Sequence, residues 1–157
     1  MNGWIAVLLD LAAVALTGTA GPQMADRTAG DLRLQLSVSR STYRVGEAVA
    51  THMRVSNVAS TPVGITSYSG QQFDVLVRQR GALIWQWSHD KAFVQVVRES
   101  TMPPGESLSF DWTWDQRDLQ GRQVEPGTYD LSAVFLGAQR GGPRSIEVGP
   151  IRVTIGR

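Results

Sequence analysis

The sequence predicts an all-β protein, an immunoglobulin-like antiparallel β-sandwich of about eight or nine strands preceded by a short apolar, helical leader. Three observations support this prediction. Apolar residues recur at every second position in short runs that are roughly 8–15 residues apart. The chain of 157 residues contains 16 glycines and 7 prolines, as a turn-rich domain does. Beyond the leader, no segment has the period that an amphipathic helix needs.

Residues 1–20 are predicted to be a signal peptide or an apolar leader. Residues 4–16 are an apolar run, too short for a membrane span, and Gly18 and Ala20 follow at the spacing of a cleavage site. These features predict export to the cell envelope or beyond, with a cytoplasmic location as the alternative. Against export, no Lys or Arg precedes the run, and Asp10 lies within it.

Residues 21–30 have no apolar period and are predicted to be a linker, and residues 31–157 are predicted to form the immunoglobulin-like domain. The first strand of the domain places Leu32, Leu34 and Leu36 on one face because they alternate with polar residues. The same alternation predicts the remaining strands near residues 49–55, 63–65, 73–77, 83–87, 93–97, 108–114, 129–135 and 151–155.

Turn residues separate these runs. Arg80 and Gly81 predict a tight hairpin, and the prolines at 103 and 104 end the run before them. Residues 112–129 read as the end of one strand, a long turn containing Gly121, and the start of the next strand.

Composition excludes several functional classes. The net charge is +1 and the isoelectric point is near 8.2, without the basic stripe of a nucleic-acid-binding protein. The chain has no cysteine, which removes disulfides, thiolate zinc sites and cysteine nucleophiles. The sequence predicts that the protein has no nucleic-acid partner, no cofactor and no metal, and that the mature domain has no membrane span.

The residues Ser88, His89 and Asp90 are those of a hydrolase triad, but consecutive side chains in an extended chain alternate in direction and cannot relay a proton. His52 is distant in sequence from the second histidine, which argues against a histidine metal site. The sequence therefore predicts no enzyme.

Three aspartates near the long turn, Asp111, Asp115 and Asp118, have the oxygen ligands that calcium prefers. Their spacing matches no EF-hand loop, and turn aspartates usually bond to backbone N–H groups. We expect them to stabilise the turn.

Four tryptophans cluster in the domain, and exposed aromatic rings could stack on sugars. Their apolar neighbours Leu83, Leu108 and Phe110 favour the core instead, where each ring buries about 150–250 Å². We expect the tryptophans to pack inside the sandwich.

Several motifs occur in a fixed order: Q-F-D-V, a hairpin glycine, W-x-x-S, F-x-Q, P-G, W-D-Q, a turn glycine and V-x-P-G-x-Y. With these motifs, about residues 47–136 resemble the intracellular proteinase inhibitor (BsuPI) family. The resemblance implies an immunoglobulin-like β-sandwich that inhibits serine proteases, chiefly subtilisin-like ones. The residues that match family positions, mainly structural ones, are Trp85, Ser88, Phe93, Gln95, Pro104, Gly105, Trp114, Asp115, Gly121, Pro126, Gly127 and Tyr129.

An inhibitor of this kind needs an exposed loop that is held rigid before binding. The favoured loop runs from Arg98 to Pro104, where the prolines stiffen one end, and residues 137–145 with Arg140 are the second candidate. The predicted protease-contact residues of the favoured loop are Arg98, Glu99, Ser100, Thr101, Met102 and Pro103.

The leading hypothesis is a non-enzymatic proteinase-inhibitor-like domain whose partner is a serine protease or another protein. The alternative is an immunoglobulin-like adhesion or assembly module of the cell envelope with no protease activity or inhibition. A shorter part of the motif run also resembles the immunoglobulin-like domain of flagellar hook-capping proteins. The sequence does not indicate the target or the oligomeric state.

Overall fold

The computed structural model describes residues 21–157, and the predicted leader over residues 1–20 lies outside the described residues. The described chain is all-β, with one 3-10 turn at Trp87–Asp90. None of its helical segments is long and apolar enough to cross a membrane. The strands are β1 (Gln23–Ala29), β2 (Leu32–Val38), β3 (Thr42–Arg44), β4 (Val49–Asn57), β5 (Val63–Ser67), β6 (Phe73–Gln79), β7 (Ala82–Gln86), β8 (Arg98–Met102), β9 (Ser107–Trp114), β10 (Gly127–Phe135), β11 (Gly137–Gln139) and β12 (Ile146–Gly156).

The described strands form three sheets. One has the order β1-β2-β4-β9, the second β3-β12-β10-β6-β7, and the third β11-β5-β8. All pairs are antiparallel except β3 with β12. The four-stranded and five-stranded sheets supply most of the core. The three-stranded sheet adds Val63, Ile65 and Met102 to it and carries both predicted contact loops.

The core forms because the apolar residues of each strand face one way. In β2 and β4 buried and accessible positions alternate, as period-two patterning requires. Leu34 of the four-stranded sheet and Val75 and Leu131 of the five-stranded sheet belong to one cluster of buried side chains. Complete burial of each such side chain stabilises the fold by about 1.5–3 kcal/mol.

The predicted linker contains a strand instead. Gln23–Ala29 forms β1, which pairs with β2 through the whole of its length. Most side chains of β1 are exposed, so its sequence has no apolar period to reveal it. Backbone pairing defines the strand, and the Arg33–Asp26 ion pair crosses between β1 and β2.

The strand predicted at residues 93–97 is wrong, because residues 91–97 have no regular secondary structure. The strand begins instead at Arg98, where the sequence predicted a loop. Most side chains of β8 are polar and exposed, so alternation does not reveal it; its pairing with β5 does.

Two apolar residues expected in the core are exposed. A β-bulge pairs Leu83 with Arg78 but Trp85 with Val77, so Leu83 and Trp85 lie on opposite faces although they are two residues apart. Leu83 is therefore 41% exposed while Trp85 is buried. Leu108 is 40% exposed at the beginning of the edge strand β9.

Candidate functional site

The favoured contact segment is an edge strand. Residues 98–102 form β8, which pairs with β5 on one side. In the described residues 21–157 no strand pairs with its other edge. Four of its side chains are exposed, whereas Met102 is buried in the core. The segment therefore presents a free backbone edge and polar side chains, and the side chain of Met102 is not available for contact.

The buried side chain of Asn57 holds the carboxyl end of β8. Its Nδ2 donates to the carbonyl oxygens of Met102 and Thr61, each at 2.9 Å. Its Oδ1 accepts from the backbone N–H of Ala59 at 2.9 Å. Its carbonyl oxygen accepts from the N–H of Gly105, in the turn that follows β8, at 3.1 Å. Asn57 thereby fixes β8 and the adjoining proline-rich turn to the end of β4.

Both predicted contact loops line one open cleft of about 610 Å³. Glu99 and Thr101 of β8 form one wall, and Arg140 and Arg144 of the second loop form the other. The floor includes Gly64 of β5, above which a Cβ atom would meet nothing within 4 Å. The sequence did not predict this juxtaposition, because it depends on β5 lying between β8 and β11.

The second wall of the cleft is also held in place. Gln139 donates from Nε2 to a carboxylate oxygen of Asp31 at 2.5 Å, and its Oε1 accepts from the Asp31 N–H at 3.1 Å. This contact joins β11 to the turn between β1 and β2. The guanidinium of Arg144 lies 4.5 Å from the centre of the Tyr68 ring.

Three of the family-motif residues are core aromatics. Trp114 lies between Trp85, with ring centres 6.5 Å apart, and Tyr129, with ring centres 5.5 Å apart. The Trp114 indole N–H donates to the carbonyl of Arg117 at 3.0 Å. These contacts bring β7, β9 and β10 together.

The Tyr129 hydroxyl donates to the carbonyl oxygen of Glu125 at 2.6 Å, four residues earlier, as in a tyrosine corner. Burial raises the pKa of Tyr129 above its usual value; the charge of Glu125 acts in the same direction, and a hydrogen bond from Gln79 opposes both. The residue closes the long turn before β10.

Ser88 is held by a buried carboxylate that the sequence analysis did not select. The Ser88 hydroxyl donates to Asp74 at 2.6 Å, and the Ser88 backbone N–H donates to the same carboxylate at 3.1 Å. Gln86 donates to Asp74 at 2.6 Å as well. Asp74 therefore fixes the 3-10 turn to β6. The sequence feature that could have identified Asp74 is its place in the Q-F-D-V motif.

Gln116 is a second residue that the sequence analysis did not select. It is fully buried although it has a positive φ of 60°. Its Nε2 donates to the carbonyls of Arg44 and Glu47 at 2.8 and 2.7 Å, and its Oε1 accepts from the Gly46 N–H at 2.9 Å. It ties the β3–β4 turn to the β9–β10 turn. The sequence feature that could have identified Gln116 is its position directly after the W-D pair.

Two of the remaining motif residues lie before β8 and two follow it. Phe93 is half-buried with its ring centre 5.9 Å from that of Trp87, and Gln95 is exposed. Pro104 and Gly105 form the turn between β8 and β9, where Gly105 has a φ of 75°.

The last four motif residues belong to the long turn. The Asp115 carboxylate accepts from the Arg117 N–H at 3.2 Å. Gly121 has a φ of 77°, Pro126 is exposed, and Gly127 begins β10. These residues shape the turn, and the structure gives none of them a ligand-binding geometry.

The hydrolase-like triplet has separate partners. Ser88 bonds to Asp74, as described, while the His89 ring bonds to the carbonyl of Gln86 at 2.5 Å. His52 pairs with the carboxylate of Asp111 at 2.7 Å on the surface. Within residues 21–157 no three His, Cys, Asp or Glu side chains come close enough to hold a metal ion.

Asp118 stabilises the long turn. Its carboxylate accepts from the backbone N–H groups of Arg122 and Gln120, each at 2.9 Å. The Arg122 N–H is the main cause that lowers the pKa of Asp118, and the Arg122 guanidinium adds to it.

The tryptophans do not form a sugar platform. Trp85, Trp112 and Trp114 are 8%, 7% and 0% exposed, and Trp87 is half-buried with its ring stacked on Phe73 at 4.3 Å. Three buried rings and a fourth that is stacked on Phe73 form no open aromatic platform, so the sugar-binding hypothesis loses its basis.

The fold and the site define an all-β domain whose buried polar residues fix turns and strand ends around an exposed edge strand. The chain matches the family described as intracellular proteinase inhibitor (BsuPI) over residues 36–140, and it belongs to that family. The match includes every motif residue named above and both walls of the cleft except Arg144.

No curated protein matched the chain. Solved structures with similar folds include a β-glucosidase from Listeria innocua in complex with laminaribiose, with 12% identity and a TM-score of 0.46, which covers 80% of this chain and 16% of the enzyme. The sporulation control protein from Bacillus subtilis has 16% identity and a TM-score of 0.46, covering 82% of this chain and 51% of that protein. The chain thus spans a small part of the first and about half of the second, and neither similarity carries a functional argument.

The family match corrects the predicted location. The family is described as intracellular, which favours a cytoplasmic location over the export that residues 1–20 predicted. The carboxylate of Asp10 inside the apolar run agrees with this correction, because a charge there opposes insertion of an export signal.

Proposed function

We propose that this protein is a non-enzymatic inhibitor of serine proteases of the subtilisin type, and that the free edge of β8 contacts the protease. Membership of the proteinase inhibitor family supports the general function. The observation that supports the contact is that residues 98–102 form an exposed strand with one unpaired edge.

An unpaired strand edge can add to another protein through backbone hydrogen bonds. A protease cleft that binds an extended peptide offers the complementary edge. β5 and Asn57 hold β8 in its extended form before contact, so little conformational entropy is lost on binding. Glu99 and Thr101 face the cleft and would lie beside the protease, whereas Met102 remains in the core.

We also infer that the two larger sheets pack as an immunoglobulin-like sandwich, with the folded unit beginning at β1. The single cluster of buried side chains drawn from both sheets supports this arrangement. The hydrogen bond from Tyr129 to Glu125 supports it as well, since that bond occurs at the corresponding corner of immunoglobulin-like domains.

Titration of a subtilisin-type protease with the purified full chain tests the inhibitor function. We expect stoichiometric loss of protease activity at micromolar or lower inhibitor concentration, with the inhibitor remaining intact on a gel. Undiminished activity at micromolar excess, or rapid digestion of the chain, would overturn the proposal and favour the adhesion or assembly module.

A pair of neighbouring substitutions tests the strand edge. In an antiparallel pair, the N–H groups of adjacent residues point to opposite sides, so one of Ser100 and Thr101 donates toward β5 and the other toward the free edge. Proline removes the donor. Of Ser100→Pro and Thr101→Pro, we expect one to be strongly destabilised and the other to fold but inhibit poorly. Full inhibition by the folded variant would exclude the edge as the contact.

A further inference from the structure

The segment that enters β8 has an unusual combination of a fixed backbone and exposed apolar side chains. Residues 91–97, termed the anchor segment, connect the 3-10 turn to β8 without regular secondary structure. Val94 is 71% exposed, the highest value among the large apolar side chains of residues 21–157, and Val97 is 62% exposed. A single exposed apolar residue is ordinary on a protein surface, and what distinguishes Val94 is how its backbone is held.

The amino end of the anchor segment is tied to the core. Ser88 is fixed by Asp74, as described above, and the Trp87 ring stacks on Phe73 at 4.3 Å. Lys91 donates to the carbonyl of Trp87 at 2.9 Å, and its ammonium group lies 4.6 Å from the centre of the same ring. The segment therefore begins from a rigid point.

The middle of the anchor segment is pinned at Val94 itself. The Gly70 N–H donates to the Val94 carbonyl oxygen at 2.7 Å. The two backbones are in contact, since a Cβ atom on Gly70 would lie at van der Waals distance, 3.5 Å, from that oxygen. The backbone of Val94 is thus held while its side chain points away from the protein. A β-branched side chain is also stiff about χ1, so it loses little rotamer entropy on contact.

We propose that Val94 is the apolar anchor of the inhibitor and enters an apolar specificity pocket in the substrate cleft of the target protease. This inference rests on the proposed inhibitor function. Proximity to β8 supports it, because Val94 lies only a few residues before the strand whose free edge is proposed to contact the protease. Interfaces of this kind concentrate their binding energy in a few well-held side chains that fill pockets.

Inhibition constants for the full chain and its variants against a subtilisin-type protease test the proposal. We expect Val94→Asp to weaken inhibition by at least about 30-fold, and Val94→Ile to keep it within about 3-fold. Val94→Thr keeps the shape and stiffness of the side chain but replaces one methyl group by a hydroxyl, so we expect a loss of roughly 10-fold. Val45→Asp, at another exposed valine beside Gly46, is the matched control and should change inhibition by less than about 3-fold.

The outcomes separate the two proposals. If the unmodified protein does not inhibit, the proposed function fails and the role of Val94 as an anchor is overturned with it. If it inhibits and Val94→Asp and Val94→Thr inhibit equally well, Val94 is not the anchor although the inhibitor function stands. If Val94→Asp does not fold by circular dichroism, Val94→Thr decides, because a swap of similar volume at an exposed site leaves the fold intact.

Discussion

The side-chain oxygen of Gln116 accepts a hydrogen bond from the backbone N–H of Gly46 at 2.9 Å, across 70 residues of sequence. Gln116 is fully buried, and its amide also donates to two carbonyls of the same turn. One side chain thus bonds to three backbone groups of this turn, of which the Arg44 carbonyl also accepts from the Glu47 N–H at 3.1 Å. These hydrogen bonds link the long turn of the family motif to the turn before β4.

Replacement of Gln116 is therefore expected to be costly. Gln116→Ala leaves the Gly46 N–H and the Glu47 carbonyl without partners and removes one bond to the Arg44 carbonyl, so we expect a loss of about 3–5 kcal/mol in the free energy of unfolding, measured with urea. Gln116→Gly loses the same bonds but tolerates the positive φ, so it should be about 1 kcal/mol more stable than the alanine variant. Gln120→Ala, at an exposed position in the same turn, is the control and should change stability by less than about 0.5 kcal/mol. Equal stability of all three variants would contradict this account.

The contact between Asp74 and Ser88 predicts energetic coupling. We expect Asp74→Ala to cost about 3 kcal/mol, since it removes the shared acceptor of Gln86 and Ser88, and Ser88→Ala about 1–2 kcal/mol, since it removes one donor to a buried carboxylate. The double variant should lose less than the sum by about 0.5–3 kcal/mol. Ser145→Ala, at an exposed site in the β11–β12 hairpin, should be neutral and additive. Strict additivity of the Asp74 and Ser88 variants would show that their contact is not significant.

The hairpin between β6 and β7 can be stabilised. Arg80 and Gly81 have φ values of 50° and 82°, the geometry of a type I′ turn, in which asparagine is preferred to arginine at the first position. We expect Arg80→Asn to raise the thermal midpoint through a gain of about 0.5–1 kcal/mol. Arg140→Asn, at a hairpin tip where φ is not positive, is the matched control without this gain. A lower midpoint for Arg80→Asn would refute the turn argument.

Tyr129 predicts a dependence of stability on alkaline pH. Because burial raises its pKa, the unfolded chain loses the phenol proton first. Its contribution to stability is therefore complete below pH 10.0, the usual pKa, and is lost as the pH rises through the folded value. Tyr129→Phe should cost about 1–2 kcal/mol at pH 7, where the bond to Glu125 is lost.

The same variant provides the pH test for Tyr129. The difference in unfolding free energy between the unmodified protein and Tyr129→Phe should shrink above pH 10.0. Tyr68→Phe, which changes a 43% exposed residue, is the control and should leave the stability at pH 7 unchanged. A constant difference across the alkaline range would exclude the proposed role of Tyr129.

Much of the fold was predictable from local patterns. Alternation along β2 and β4 predicted both strands and their buried faces, because the side-chain period of a strand is written directly in the sequence. The burial of Trp112 and Trp114 followed from the same rule. The motif order also led to the correct family, since those residues shape turns and core contacts that are local in sequence.

What the sequence alone determined is thus the all-β class, most of the core and the family. The tertiary structure decided which segments without a pattern become strands: β1 and β8 exist through backbone pairing, which leaves no mark on exposed side chains. The tertiary structure also decided the roles of Gln116 and Asp74. Their hydrogen-bond partners are remote in sequence, and the alternation of apolar residues does not indicate them. A hydrogen bond between remote residues and the free edge of a sheet are properties of how strands are arranged in space, and no local pattern of residues encodes them.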